Sequence, residues 1–204
     1  MTITLHKGDL DKNVTFTGAV AIDTETMGLN PHRDRLCLVQ LSSGDGNAHL
    51  VQIAAGQTDA PNLVNLLEDQ NVIKIFHFAR FDVSVLKKYL NADVTPSYCT
   101  KIASKLVRTY TDRHGLKDLV RELLNIDISK QQQSSNWGAN DLSKAQLEYA
   151  ASDVYHLHKL MEKLNVMLKT NGRDELAQKC FDFLPIRCEL DLKGWENTDI
   201  FAHS

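Results

Sequence analysis

Asp23 and Glu25 stand two apart at the end of the apolar run VAIDTETMGL (residues 20–29). On a β-strand that spacing points both carboxylates to one face. Two like charges held side by side at the end of a buried strand are costly unless a cation lies between them. Alone, the pair is a weak signal, met as readily at a solvated strand end. Further acids change the weighing. FHFARFD sets Asp82 at the start of a helix just after a strand, in the turn where ligands gather at the carboxyl ends of open α/β sheets. EYAASD sets Tyr149 and Asp153 four apart, on one face of a helix. Four carboxylates from three distant segments converge only around positive charge. Two divalent cations ~3.5–4 Å apart would neutralise them and clamp the attacking and leaving oxygens of a phosphoryl displacement. Oxygen-only ligation suits Mg²⁺ or Mn²⁺ rather than Zn²⁺. Tyr149, with an ordinary phenol pKa of ~10, would stay neutral and orient the attacking water.

The elements that must carry these groups alternate in type. VAIDTE, RLCLVQLSS and AHLVQI read as strands separated by turns rich in Gly, Asn and Asp. GDGN (44–47) lacks the strand–helix context of a dinucleotide fingerprint and reads as a hairpin turn. PNLVNLLEDQ has helical spacing, VIKIFHF is a fourth strand, and ARFDVSVLKKYL is a helix. The pattern predicts an α/β domain with a mixed β-sheet flanked by helices. After Pro96 the chain turns helical: SYCTKIASKLVRTY, GLKDLVRELLN and LSKAQLEYAASDVYHLHKLMEKLNVMLK carry apolar residues at i, i+3, i+4 and i+7. Ser143 is a plausible N-cap and Gly172 a stop signal. The tail FDFLPIRCELDLKGWENTDIFAHS is apolar without a clean period. With no internal repeat or linker, residues 1–204 read as a single domain, with a C-terminal tail (about 174–204) suited to oligomerisation.

Composition sets the outer limits. A hydrophobic share of 43% and a charged share of 24% over 204 residues suit a soluble globular protein. The polar start MTITLHKGDLDKN is no secretory signal, and no apolar stretch is long enough to span a membrane; a cytoplasmic protein is expected. Cys37, Cys99, Cys180 and Cys188 are scattered without a C-x-x-C pair, which points to reduced, mostly buried thiols. A net charge of −3 argues against coating polyanions in general. It leaves open phosphates reached through metal ions. No Walker motif, H-E-x-x-H or G-x-S-x-G occurs.

DTET, the Asp of HFARFD and YAASD resemble, in order and spacing, the DEDD 3′→5′ exonucleases of the ribonuclease D type. Tyr149 places the resemblance in the subgroup with Tyr at that position. The match runs over residues ~15–165 and is specific only in combination. It implies a ribonuclease H-like 3′-5′ exonuclease domain, two metal ions held by Asp23, Glu25, Asp82 and Asp153, and release of nucleoside 5′-monophosphates from a 3′ end. Two departures matter. Phe78 stands where relatives carry Asn, and only ~50 residues follow Asp153, where ribonuclease D has further helical domains. Both, with DTETMGLNPHRDRLCLVQL, resemble the compact nanoRNase C branch. That branch implies a diribonucleotide substrate and a ring-shaped homo-octamer.

Several residues keep two readings. Leu29 is either a core residue under the turn or, as the resemblance implies, a wedge between two bases, with Met27 and Gly28 beside it. His77 and Phe81 either pack in the core or face a nucleotide. Lys101, Lys105 and Arg108, extended by Arg113, His114 and Lys117, form either a solvated helix face or a phosphate-contacting rim. KQQQSSNWG (130–138) offers amides and hydroxyls to a 5′-phosphate. His156 and His158 are plain helix positions. The functional alternatives are ribonuclease D-like trimming of longer RNA, a non-catalytic nucleic-acid-binding module, and a DNA proofreading domain.

Overall fold

A computed structural model of the protein describes residues 2–128 and 134–203. Six strands form one mixed sheet in the order β1-β4-β3-β2-β5-β6, with β1 at Ile3–Lys7, β2 at Gly18–Thr26, β3 at Leu36–Ser42, β4 at Ala48–Gln52, β5 at Val72–Phe76 and β6 at Ser97–Cys99. β2 runs antiparallel to β3 and parallel to β5; β3 and β4 are antiparallel, while β1–β4 and β5–β6 are parallel. The two central strands explain their own sequences. Val20, Ala21 and Ile22 of β2 and every residue of β3 are buried, because helices cover the sheet and leave no wet face for polar alternation. The GDGN segment does join β3 to β4, with Gly44 and Gly46 at φ of +80° and +86°, a region that costs other residues dearly.

Helices α1 (Pro61–Glu68), α2 (Ala79–Leu90), α3 (Thr100–Val107), α4 (Leu116–Leu124), α5 (Lys144–Val154), α6 (Leu157–Thr170) and α7 (Asp174–Leu190) complete the chain, followed by a wide turn at Asp191–Trp195. α5 packs across β2, β3 and β4, whereas α2 packs on β3, β5, β6 and α7. Ser143 caps α5 in a full capping box: its hydroxyl accepts from the Gln146 amide, and the Gln146 side chain accepts from the Ser143 amide.

The structure departs from the sequence reading in four places. β1 and β6 are strands that lie inside segments read as polar and helical, and both pair at the sheet margins. The long helical run breaks at Tyr155–His156 into α5 and α6. The break was invisible because Ala150, Val154, Leu157, Leu160 and Leu164 keep one apolar spacing across it, all buried. The tail is a 17-residue helix despite Pro185. Within it Phe181 and Leu184 are buried, and the Phe181 ring packs 4.6 Å from that of Tyr98. Those two side chains belong to the chain's own core, not to a surface.

Candidate active site

β2 and α5 face one another at the end of the central strands. Carboxylate oxygens of Asp23, Glu25 and Asp153 lie within 4.8 Å of one another. Asp23 and Glu25 share a face because the strand stays regular between them; its register slips only after Glu25, a bulge that swings the chain into the loop carrying Met27, Gly28 and Leu29. Asp82 enters from the first turn of α2 and is almost fully buried. Its Oδ1 accepts the Thr24 hydroxyl at 2.7 Å. Thr24 was not singled out from the sequence; its signal was its place between the two acids of DTET.

Burial, first of all, raises Asp23, Glu25 and Asp82 above the ordinary carboxylate range, and repulsion from neighbouring acids adds to it for Asp23 and Glu25. The Asp23 carboxyl rises well above 3.8, from burial and then from Asp82, Asp153 and Glu25. Glu25 is pushed up to about 9 by burial and by Asp153 and Asp82. Asp82 is raised to about 7 by burial, against the opposing Thr24 bond. The Tyr149 phenol is raised further still, by burial and by Asp153, Glu25 and Asp23, and it is hydrogen-bonded to Asp153. A cluster of oxygens this close and this short of positive charge has the chemistry of a divalent-cation site.

The acids line a cleft of about 660 Å³ together with Tyr149 and with Met27, Gly28, Leu29, His77 and Phe81. The five candidate catalytic residues and the five candidate wedge and nucleotide contacts therefore border one space. Leu29 is 88% exposed, which removes its core reading. A braced loop carries it: Asp34 accepts from the Asn30 amide at 3.0 Å and from Arg33 Nε at 2.7 Å, and a Cβ at Gly28 would collide with the Asp34 carboxylate. His77 Nδ1 meets the Thr100 hydroxyl at 2.9 Å. Because that hydroxyl donates to the Phe76 carbonyl, Nδ1 carries the ring proton.

The basic run divides. Lys101 and Lys117 line the cleft, the Lys101 ammonium lying 4.4 Å above the Phe78 ring. Arg108 is wholly buried and paired with Glu122, so it is neither a solvated residue nor a phosphate contact; the amphipathic spacing did not show that α4 covers it. Of the polar loop, residues 129–133 lie outside the described residues. Ser134, Ser135 and Trp137 line the cleft, and the buried Trp137 ring lies 6.1 Å from that of Tyr149. The indole N–H has no hydrogen-bond partner among the described residues.

Residues 9–169 match a family described as 3′-5′ exonuclease. Among solved structures, Brucella melitensis NrnC bound to pGG is 60% identical over the full length of both chains, with a TM-score of 0.96; the same protein with bound Mg²⁺ matches at 58% identity and 0.96. The Ribonuclease D of Granulibacter bethesdensis is 35% identical over 76% of this chain and 38% of its own. Escherichia coli RNase D superposes with a TM-score of 0.76 at 25% identity, over 89% of this chain and 48% of its own. The chain thus spans less than half the length of these ribonuclease D relatives. With the acids gathered in one cleft and the match running through all of them, the chain belongs to the 3′-5′ exonuclease family.

Proposed function

We propose that the protein is a metal-dependent 3′→5′ exoribonuclease that hydrolyses very short RNA, 5′-phosphorylated diribonucleotides foremost, to nucleoside 5′-monophosphates. The observation that carries this is the convergence of Asp23, Glu25, Asp82, Asp153 and Tyr149 on one cleft with an exposed Leu29 at its side. The four carboxylates would hold two Mg²⁺ or Mn²⁺ ions, which supply charge stabilisation to the attacking and leaving oxygens.

The chain's own groups do the rest. Tyr149, whose phenol is pushed up by burial and by the neighbouring acids in the metal-free site, positions the attacking water and leaves proton removal to other groups. Leu29, Met27 and Gly28 form the wedge loop, and burying a Leu side chain between two bases would contribute ~1.5–3 kcal/mol. Phe81 and His77 face the nucleotide. Ser134, on the wall of the cleft beside Trp137, belongs to a polar cap for the terminal 5′-phosphate, to which a neighbouring subunit would contribute; the KQQQ part of that cap lies outside the described residues.

Self-association, as a ring-shaped homo-octamer by family resemblance, is supported by the exposed Phe183, Ile186, Trp195, Ile200 and Phe201 on the tail. A cytoplasmic location is supported by four free cysteines. Among the described residues no helix is long and apolar enough to cross a membrane.

The test is Mg²⁺-dependent cleavage of 5′-labelled RNAs from two to about ten nucleotides. A dinucleotide should turn over far faster than a heptamer, because a longer chain puts a bulkier, less charged phosphodiester where the terminal phosphate binds. Equal rates across the series would return the reading to ribonuclease D-like trimming. No cleavage at any length would leave a non-catalytic binding module.

A further inference from the structure

The first turn of α2 is tied to the far end of the chain by one buried carboxylate. Asp191, 6% exposed, accepts from Arg80 Nε at 2.5 Å through Oδ2 and from Arg80 Nη2 at 2.8 Å through Oδ1. Its Oδ1 also takes both Nε, at 2.9 Å, and Nη2 of Arg187. The two guanidiniums then reach on to main-chain carbonyls of the segment that follows, Arg80 to Glu196 at 2.8 Å and Arg187 to Trp195 at 2.6 Å. From the same face of α7 the Cys188 thiol donates to the Arg80 carbonyl at 3.3 Å.

Arg80 stands two residues before Asp82, inside the same helical turn, whereas Arg187 and Asp191 lie beyond the matched family region at 9–169. Burying a carboxylate between two guanidiniums adds little net stability compared with apolar packing. What so many directed bonds do supply is a fixed orientation. The turn they fix ends on the most buried acid of the cleft, and a displacement of ~1 Å at such a group can cost about 100-fold in rate.

We propose that Asp191, acting with Arg80 and Arg187, is a positioning residue that sets the rotation of the first turn of α2 and thereby the aim of Asp82 at the metal site. This rests on the metal-dependent reading above.

The test follows Mn²⁺ binding directly, by the spectroscopic signal of the free ion, on the full chain. Asp191→Asn and Arg187→Gln are compared with Asp82→Asn, alongside thermal unfolding in EDTA. Asp191→Asn should weaken Mn²⁺ binding about 10-fold or more, the scale seen when groups supporting metal ligands are removed. Excess Mn²⁺ should then restore dinucleotide hydrolysis. Arg187→Gln keeps the Arg80–Asp191 fork and should weaken binding less. A lowered melting temperature with unchanged Mn²⁺ affinity in both variants overturns the proposal, since the clamp then only fastens the tail. If Asp191→Asn does not fold, Arg80→Gln should show the same weakening, and unchanged Mn²⁺ affinity in it overturns the proposal equally. Should Asp82→Asn also bind Mn²⁺ normally, the metal assignment itself fails and the proposal falls with it.

Discussion

Replacing Asp82 with Asn should make the metal-free protein more stable. The side chain keeps its shape, and its amide oxygen can still accept the Thr24 hydroxyl, so what disappears is the charge. In the folded protein burial raises the Asp82 carboxyl to about 7 from an ordinary 3.8. A folded-state pKa above the unfolded one means that stability is fully present below about pH 4, declines as pH rises towards 7, and levels off above it. At ~1.36 kcal/mol per pH unit, the penalty reaches about 4 kcal/mol at pH 8 and about 2 kcal/mol at pH 5. Urea denaturation in EDTA should therefore show the Asn variant ahead of the parent by up to that margin at pH 8, and by roughly half of it at pH 5. Magnesium narrows that margin at pH 8 and reverses the order at pH 5. At 100 times its Kd, Mg²⁺ adds ~2.7 kcal/mol to a protein that binds it, and the variant forfeits most of that gain. A variant less stable than the parent at pH 8 in EDTA, or a margin that does not change with pH, would refute the claim that Asp82 is a desolvated, strained carboxylate.

Leu29→Ala should raise the dinucleotide KM about tenfold, the lower end of the ~1.5–3 kcal/mol that burying a Leu side chain contributes, and leave Mn²⁺ affinity untouched; a parallel loss of both would place Leu29 in the metal site's scaffold. Tyr149→Phe should bind metal normally and lose about 10²-fold in kcat, and a large loss of metal affinity would show the role to be misassigned. Metal binding should release protons, because Glu25 is held near 9 before the ion arrives; affinity should climb with pH between about 6 and 9. Calorimetry in buffers of different ionisation enthalpy reads this directly, and no proton release at pH 7 would contradict it. Gly28→Ala, whose Cβ meets the Asp34 carboxylate, should lower activity on dinucleotides while circular dichroism shows the fold intact.

The sequence foreshadowed the fold class and which residues border the cleft, but not every element that holds them. Asp23, Glu25, Asp82, Tyr149 and Asp153 were legible because buried acids break an apolar pattern, and a broken pattern is visible without coordinates. β1 and β6 were not, since a short marginal strand such as Ser97–Cys99 is defined by its partner across the sheet and not by its own residues. The α5–α6 break left the apolar spacing intact and so left no trace. Arg108 shows the same limit in a side chain: its charge read as solvent-facing, yet Glu122 arrives from another helix to pair with it. The tail was half legible. Its apolar residues stood out, but only the fold divides Phe181 and Leu184, which pack inward, from Phe183 and Ile186, which do not.

Asp34, which accepts from the Asn30 amide and from Arg33, braces residues 28–34, and on the proposed reading that loop would act as a preset tool instead of a moving lid. A protein that holds an apolar wedge ready in solvent has met that ordering cost during folding, so none is charged when a ligand arrives. If Leu29 is that wedge, the work of parting two bases would fall on the nucleic acid alone. Affinity across the sixteen diribonucleotides should accordingly follow how weakly each pair stacks when free, with uridine-containing pairs entering more readily than stacked purines unless a base-specific contact intervenes. Selection by such a site is a matter of the substrate's own stiffness, and no closing motion needs to appear in its kinetics.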